Sequence, residues 1–179
     1  YTRELYGRET NRTPPADAQD PAWVKWRADR ITAFMNRLHK AVRARKAGAI
    51  FSISPNYYDH AYKFQLQDWL SWVRSGIVDE LLVQVYRPDL ESFRAQLDRS
   101  ELQQSSRKIP TAIGILSGQR TRPVPMELIR SQVLAARERG LGVSFFYFET
   151  LWNSAAEPAE SRRAAFKELF PAPAPRKAR

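Results

Sequence analysis

The 179 residues make a chain long enough to bury a core, and 43% of them are apolar, with Trp 5, Tyr 7 and Phe 9 supplying bulk. The absence of cysteine excludes disulfides, thiolate zinc and a thiol nucleophile. No run of about 18 apolar residues exists to span a membrane, and the net charge of +10 raises the question of an anionic partner.

Residues 1–20 read as a polar, turn-rich lead-in, with a helical turn at most over Tyr1 to Tyr6 and breakers at Thr13-Pro14-Pro15. Asp20-Pro21 is a helix start, a side-chain cap followed by Pro at the first helical position. Trp23, Trp26, Ile31, Phe34, Leu38 and Val42 then recur at helical spacing and define one apolar stripe, ending before Gly48. This helix, Ala22 to Lys46, carries eight basic residues against one acid, Asp29. The bland reading is a solvated outer face. The alternative is a surface for nucleic acid or anionic lipid.

Four short apolar runs come next, beginning at Ile50, Leu81, Ala112 and Val143, each 31 residues after the last. Each is too short for a helix and is bounded by Gly, Pro or charge, as a buried strand is. After the first, Ser54-Pro55 leads into a loop, Asn56-Tyr57-Tyr58-Asp59-His60. One helix is then expected through Phe64, Leu66, Trp69, Leu70, Trp72 and Val73 to Gly76. After the second comes Asp89 to Arg107, a helix with an expected break near Ser100 or Ser105–Ser106. The third run exits through Ser117-Gly118-Gln119 and a loop from Arg120 to Pro125, before a helix from Met126 to Arg139 with Leu128, Ile129, Val133 and Leu134 on one side. The fourth passes into Glu149-Thr150-Leu151-Trp152-Asn153, and Pro158 opens a last helix to Phe170. Residues 171–179, Pro/Ala-rich and then basic, lack the apolar residues to pack and read as a disordered tail.

Strand–helix alternation of this kind means an α/β fold with a parallel sheet. A repeat of about 30 residues is the pitch of a (β/α)8 TIM-type barrel, and four units make half of one. The expected organisation is a lead-in over 1–20, a half-barrel over 21–170 and the tail over 171–179. Such a half leaves strand edges at Ile50 and Val143, which invites self-association and predicts an isolated chain inactive on glycans.

In a parallel α/β fold, chemistry sits where the strands end. Those places hold Ser54, Asn56, Tyr57, Tyr58, Asp59 and His60, then Gln84, Tyr86 and Arg87, then Ser117 and Gln119, then Glu149, Trp152 and Asn153. Aromatic faces stack on the C–H faces of a sugar while amides and hydroxyls bond its hydroxyl groups, so the mixture suits a polysaccharide. Tyr86 and Trp152 fit a plug at the mouth equally well. Glu149 comes after four aromatics, and desolvation there would suit it to acid catalysis. An ion pair with Arg87 or Arg120 is the structural alternative. Asp59-His60 reads as a weak proton-transfer pair or as plain loop. No Gly-rich phosphate loop, nucleophile elbow or metal-ligand spacing occurs, so neither cofactor nor metal is expected.

Several segments together resemble one family. They are Asp20-Pro21-Ala22-Trp23-Val24-Lys25-Trp26, Ile53-Ser54-Pro55, Asp68-Trp69-Leu70-Ser71-Trp72-Val73-Arg74-Ser75-Gly76-Ile77-Val78-Asp79, Val83-Gln84-Val85-Tyr86-Arg87 and the run from Gly142 to Trp152. In order and spacing over roughly residues 1–170 they are similar to the bacterial glycosyl-hydrolase-like family 10. The resemblance implies strands five to eight of a barrel acting on O-glycosidic bonds by carboxylate acid/base chemistry, with an envelope or extracellular location for the full-length member. It implies that the principal acid lies before Tyr1, and it carries over only Ser54, Asn56, Gln84, Tyr86 and Trp152 as substrate-binding residues and Glu149 as catalytic. A carbohydrate-binding barrel without hydrolysis is the alternative. A basic nucleic-acid binder using Arg37, Lys40 and Arg43 is a third, ranked below both, and the expected partner is a polysaccharide rather than nucleic acid.

Overall fold

The computed structural model describes residues 1–119 and 121–173. Four strands form one parallel sheet in the order β1-β2-β3-β6, made of β1 (Ser52–Ile53), β2 (Glu80–Gln84), β3 (Thr111–Leu116) and β6 (Gly142–Phe146). All four expected strands are present, and helices alternate with them, so the fold is α/β. The chain divides into two compact units, Tyr1–Leu81 and Leu82–Arg179.

In the first unit the lead-in is more ordered than its composition suggested. Helix α1 (Thr2–Thr10) buries Tyr6, whose ring meets those of Trp23 and Trp26 edge-on at 5.1 and 5.2 Å. Helix α2 (Pro21–Arg45) starts as expected, with the Asp20 carboxylate accepting from the Trp23 N–H at 2.9 Å and Pro21 at its first turn. Its apolar stripe is buried only at its N-terminal end. Trp23, Val24 and Ala28 are covered, whereas Phe34 and Leu38 remain 51% and 38% exposed.

The helix expected between the first two strands is two helices, α3 (Tyr58–Gln65) and α4 (Trp69–Arg74). Leu66 takes a left-handed conformation (φ 61°) that ends α3, and the Asp68 side chain caps α4 by accepting from the Ser71 N–H. Tyr58, Asp59 and His60, read from the sequence as loop, are the first turn of α3. Beyond α4, Asp79 is buried at the start of β2. One Arg43 Nη2 donates to both its oxygens at 2.7 Å, and the Phe51 N–H adds a third bond at 2.8 Å. A basic residue of α2 is thereby engaged inside its own unit.

In the second unit, alternate residues of each strand face a helical layer. Val83 and Val85, then Ile113 and Ile115, are fully covered, and Phe145 packs edge-on against Phe166 and Phe170. That layer contains α5 (Leu90–Leu97) and α6 (Ser100–Ser106), α7 (Met126–Arg137) and α9 (Ala159–Leu169). The break between α5 and α6 falls at Asp98-Arg99, just before Ser100. The loop after β3 contains a small antiparallel pair, β4 (Gly118–Gln119) and β5 (Arg122–Pro123). Gln132, rather than Leu134, lies on the buried side of α7, and Leu134 is 45% exposed. Residues 171–173 are exposed, and the rest of the expected tail lies outside the described residues, as does Arg120.

Candidate functional site at the strand ends

Three strands of the second unit end together, and the segments leaving them shape the site. β2 runs out through Val85 into Tyr86 and Arg87. The Tyr86 ring lies over Gly114 of β3, where a side chain would stand 3.7 Å from its Cε1. Burial pushes the Tyr86 phenol above its ordinary pKa. Its ring stacks on Phe146 at the end of β6, with centroids 5.7 Å apart and planes inclined by 27°. Buried Gln132 donates to the Arg87 carbonyl at 3.1 Å and holds this exit in place.

β3 ends at Ser117, which is fully buried. Its N–H donates to the Phe146 carbonyl at 2.8 Å and its hydroxyl to the Tyr147 carbonyl at 3.0 Å. The same hydroxyl meets that of Thr150 at 2.8 Å. Thr150 and Tyr147 close the first turn of α8 (Phe148–Trp152) with reciprocal cap bonds. The turn from β6 into α8 is thus pinned from beneath, and it carries Phe146, Phe148 and Glu149 outward. Phe146 is 51% and Phe148 66% exposed.

Glu149 departs from expectation. Its segment forms α8, which turns Thr150 inward while Glu149 faces solvent. The expected desolvation is therefore absent, and the carboxylate makes no ion pair among the described residues. Arg87 donates to the Tyr86 carbonyl at 3.0 Å instead. Trp152 packs edge-on against Phe166 of α9 at 5.2 Å, with the Arg163 guanidinium 5.9 Å from its ring centre.

In the first unit several of the predicted residues make contacts within their own segment. Asn56 donates from its side chain to Gln65 at 3.1 Å, and its carbonyl accepts from the Trp69 indole at 3.1 Å. Tyr58 donates to Asp68 at 2.7 Å, and burial together with that carboxylate drives the Tyr58 phenol strongly upward. His60 sits against the rings of Tyr57 and Phe64 at 5.6 and 5.1 Å. Asp59 and His60 are consecutive in the first turn of α3, positions that do not face each other on a helix. Ser54 is exposed beyond the end of β1, and Gln84 is half-buried at the end of β2.

The residues that sequence reading missed are Phe146 and Phe148 as exposed rings and Thr150 as the partner of Ser117 beneath them. Strand alternation held part of the signal: in Phe145-Phe146-Tyr147-Phe148 a core-facing Phe145 implies an outward Phe146. Among the described residues there is no cluster of His, Asp or Glu able to hold a metal ion, and no helix long and apolar enough to cross a membrane.

No curated protein matches the chain. A family profile, glycosyl hydrolase-like 10, matches residues 1–135. It takes in Ser54, Asn56, Gln84 and Tyr86 but stops before β6, so Glu149 and Trp152 stand outside the matched span. With three-quarters of its length matched, this chain belongs to the glycosyl hydrolase-like 10 family.

Proposed function

We propose that this chain supplies a saccharide-binding face of a glycoside-hydrolase-like (β/α)8 barrel, with Tyr86 and Phe146 as the sugar platform and Glu149 as a carboxylate of the site. The observation that carries this reading is the Tyr86–Phe146 stack at the strand ends, with exposed Phe148 and the Glu149 carboxylate two and three residues beyond Phe146. Stacked, half-covered rings offer flat apolar faces to the C–H side of a hexose, and Gln84 and Gln119 offer amides for its hydroxyl groups. The 31-residue strand spacing and the parallel sheet support the barrel.

Hydrolysis uses two carboxyl groups flanking the scissile bond. Of the rim residues named in the second unit, Glu149 is the one acid, and it is exposed. That observation favours, as a second reading, a barrel that holds polysaccharide without cleaving it.

Calorimetric titration of the chain with soluble oligosaccharides separates these readings. Tyr86→Ala and Phe146→Ala are expected to weaken binding by about fivefold or more, since a ring–sugar stack of this kind is worth about 1 kcal/mol or more. Unchanged affinity in both variants overturns the platform. Because half of a barrel is expected to be inactive on glycans by itself, the catalytic arm is read on the complete barrel: turnover abolished in Glu149→Gln with affinity retained supports the hydrolase, and binding without turnover in either form supports the second reading.

A further inference from the structure

We infer that the groove between α8 and α9 is a subsite for a carboxylated sugar residue. This deepens the saccharide reading given above and rests on it. The groove has a volume of about 350 Å³, within the range of small-ligand sites, and is lined by Trp152, Arg163, Phe166, Lys167 and Phe170. Its floor is aromatic. Trp152 meets Phe166 edge-on, and Phe166 stacks on Phe170 at 6.0 Å with planes 12° apart.

Its rim is cationic. Arg163 and Lys167 are four residues apart, as are Phe166 and Phe170, so the C-terminal half of α9 carries an aromatic ridge beside a basic one. Arg137 of α7 lies over Phe170 from outside this lining, with its guanidinium 4.5 Å from the centre of the ring. Glu168, the nearest acid in sequence, is drawn off by Arg130 at 2.6 Å. Among the described residues, no carboxylate lines the groove.

This charge decides the occupant. A neutral sugar would use the rings and leave two cations idle, whereas an acidic peptide would use the cations and leave the flat floor idle. The chain's own basic end, Arg176-Lys177-Ala178-Arg179, has the wrong sign. A uronate-type residue uses both, with its C–H face on the rings and its carboxylate on the Arg163 guanidinium and Lys167 ammonium. Trp152, on the helix that begins with Phe148 and Glu149, links this groove to the proposed platform along one short element.

The test titrates the intact 179-residue chain with an oligogalacturonate, its methyl ester and a neutral cello-oligosaccharide at low salt, beside Arg163→Gln/Lys167→Gln and Trp152→Phe variants. The acid form is expected to bind about tenfold more tightly than the ester, with the advantage shrinking in salt. The double variant is expected to erase that preference without changing affinity for the neutral oligosaccharide. Both replaced side chains are exposed, so folding is not at stake. Trp152→Phe keeps a ring in the floor and is expected to preserve the preference. Equal binding of acid and ester, a preference that survives the double variant, or equal competition by polyglutamate overturns the proposal. If the neutral oligosaccharide binds through Tyr86 and Phe146 while the acid gains nothing, only the groove assignment falls. If nothing binds, the saccharide reading falls with it.

Discussion

The hydroxyl groups of Ser117 and Thr150 lie 2.8 Å apart in a fully buried contact that joins residues 33 positions distant in the chain. Ser117 ends a strand and Thr150 belongs to the first turn of α8, so their contact fixes where the exposed rings and Glu149 emerge. Thr150→Val keeps the shape and removes the hydroxyl, leaving the Tyr147 N–H without its cap. A loss of about 1–2 kcal/mol is expected in urea unfolding, and Thr150→Ser should recover most of it.

Gly118 packs against the same threonine. Its φ is +145°, and a Cβ there would stand 3.0 Å from the Thr150 Cβ and 3.3 Å from the backbone of Arg122 and Pro123. Gly118→Ala should cost more than about 2 kcal/mol, because conformation and space both oppose it. Gly140, with φ +67° and nothing within 4 Å, is the control. Alanine there should cost only about 1 kcal/mol. Comparable losses at the two positions would count against the packing described around Thr150.

Arg43 and Asp79 form the corresponding anchor of the first unit. Removing the guanidinium with Arg43→Met strips two hydrogen bonds from a carboxylate that is 8% exposed. About 2 kcal/mol of destabilisation is expected. The same substitution in an Asp79→Asn background should cost clearly less, which a double-mutant cycle reads directly. Equal costs would mean that Arg43 acts through packing and its bonds to His39 and the Ala47 carbonyl rather than through Asp79.

Glu157 gives the chain a pH signature. Burial alone would raise its pKa, but the Met126 N–H at 2.7 Å and the buried Arg162 guanidinium at 2.7 Å outweigh this and hold it below the ordinary value. A depressed folded-state pKa contributes stability that is present above the unfolded value and is lost as pH falls through the folded one. The stability gap between the natural chain and Glu157→Gln should therefore be full at neutral pH and close on acidification below about pH 4. A gap that widens on acidification would reverse the assignment.

Glu149→Gln should leave stability within about 0.5 kcal/mol of the natural chain, since the side chain is exposed and has no partner among the described residues. Any change it brings to saccharide turnover can then be assigned to the site. A large stability loss would place Glu149 in the fold instead.

Much of the fold is legible from local pattern. The four strands, the Asp20-Pro21 helix start and the break before Ser100 come from apolar periodicity, capping and turn chemistry, which act over a few residues. The two-helix segment is not: Leu66 continues the apolar spacing, and only its left-handed backbone, with the Asp68 cap and the Trp69–Asn56 bond, reveals the break. The exposure of Glu149 is hidden for a related reason. Four aromatics before it suggest desolvation, but whether a side chain on a short helix faces inward depends on what its neighbour binds, and Thr150 binds Ser117.

The sequence by itself therefore determined the α/β alternation and which rings and amides follow each strand. Tertiary structure decided which rings are exposed, which arginine is paired with a buried carboxylate, and that Trp152 belongs to a cationic groove with Phe166 and Phe170. Helix and strand arise from regular spacing along the chain. Partnerships such as Ser117 with Thr150 or Arg43 with Asp79 join residues more than 30 positions apart, and they exist only once packing has brought those elements together.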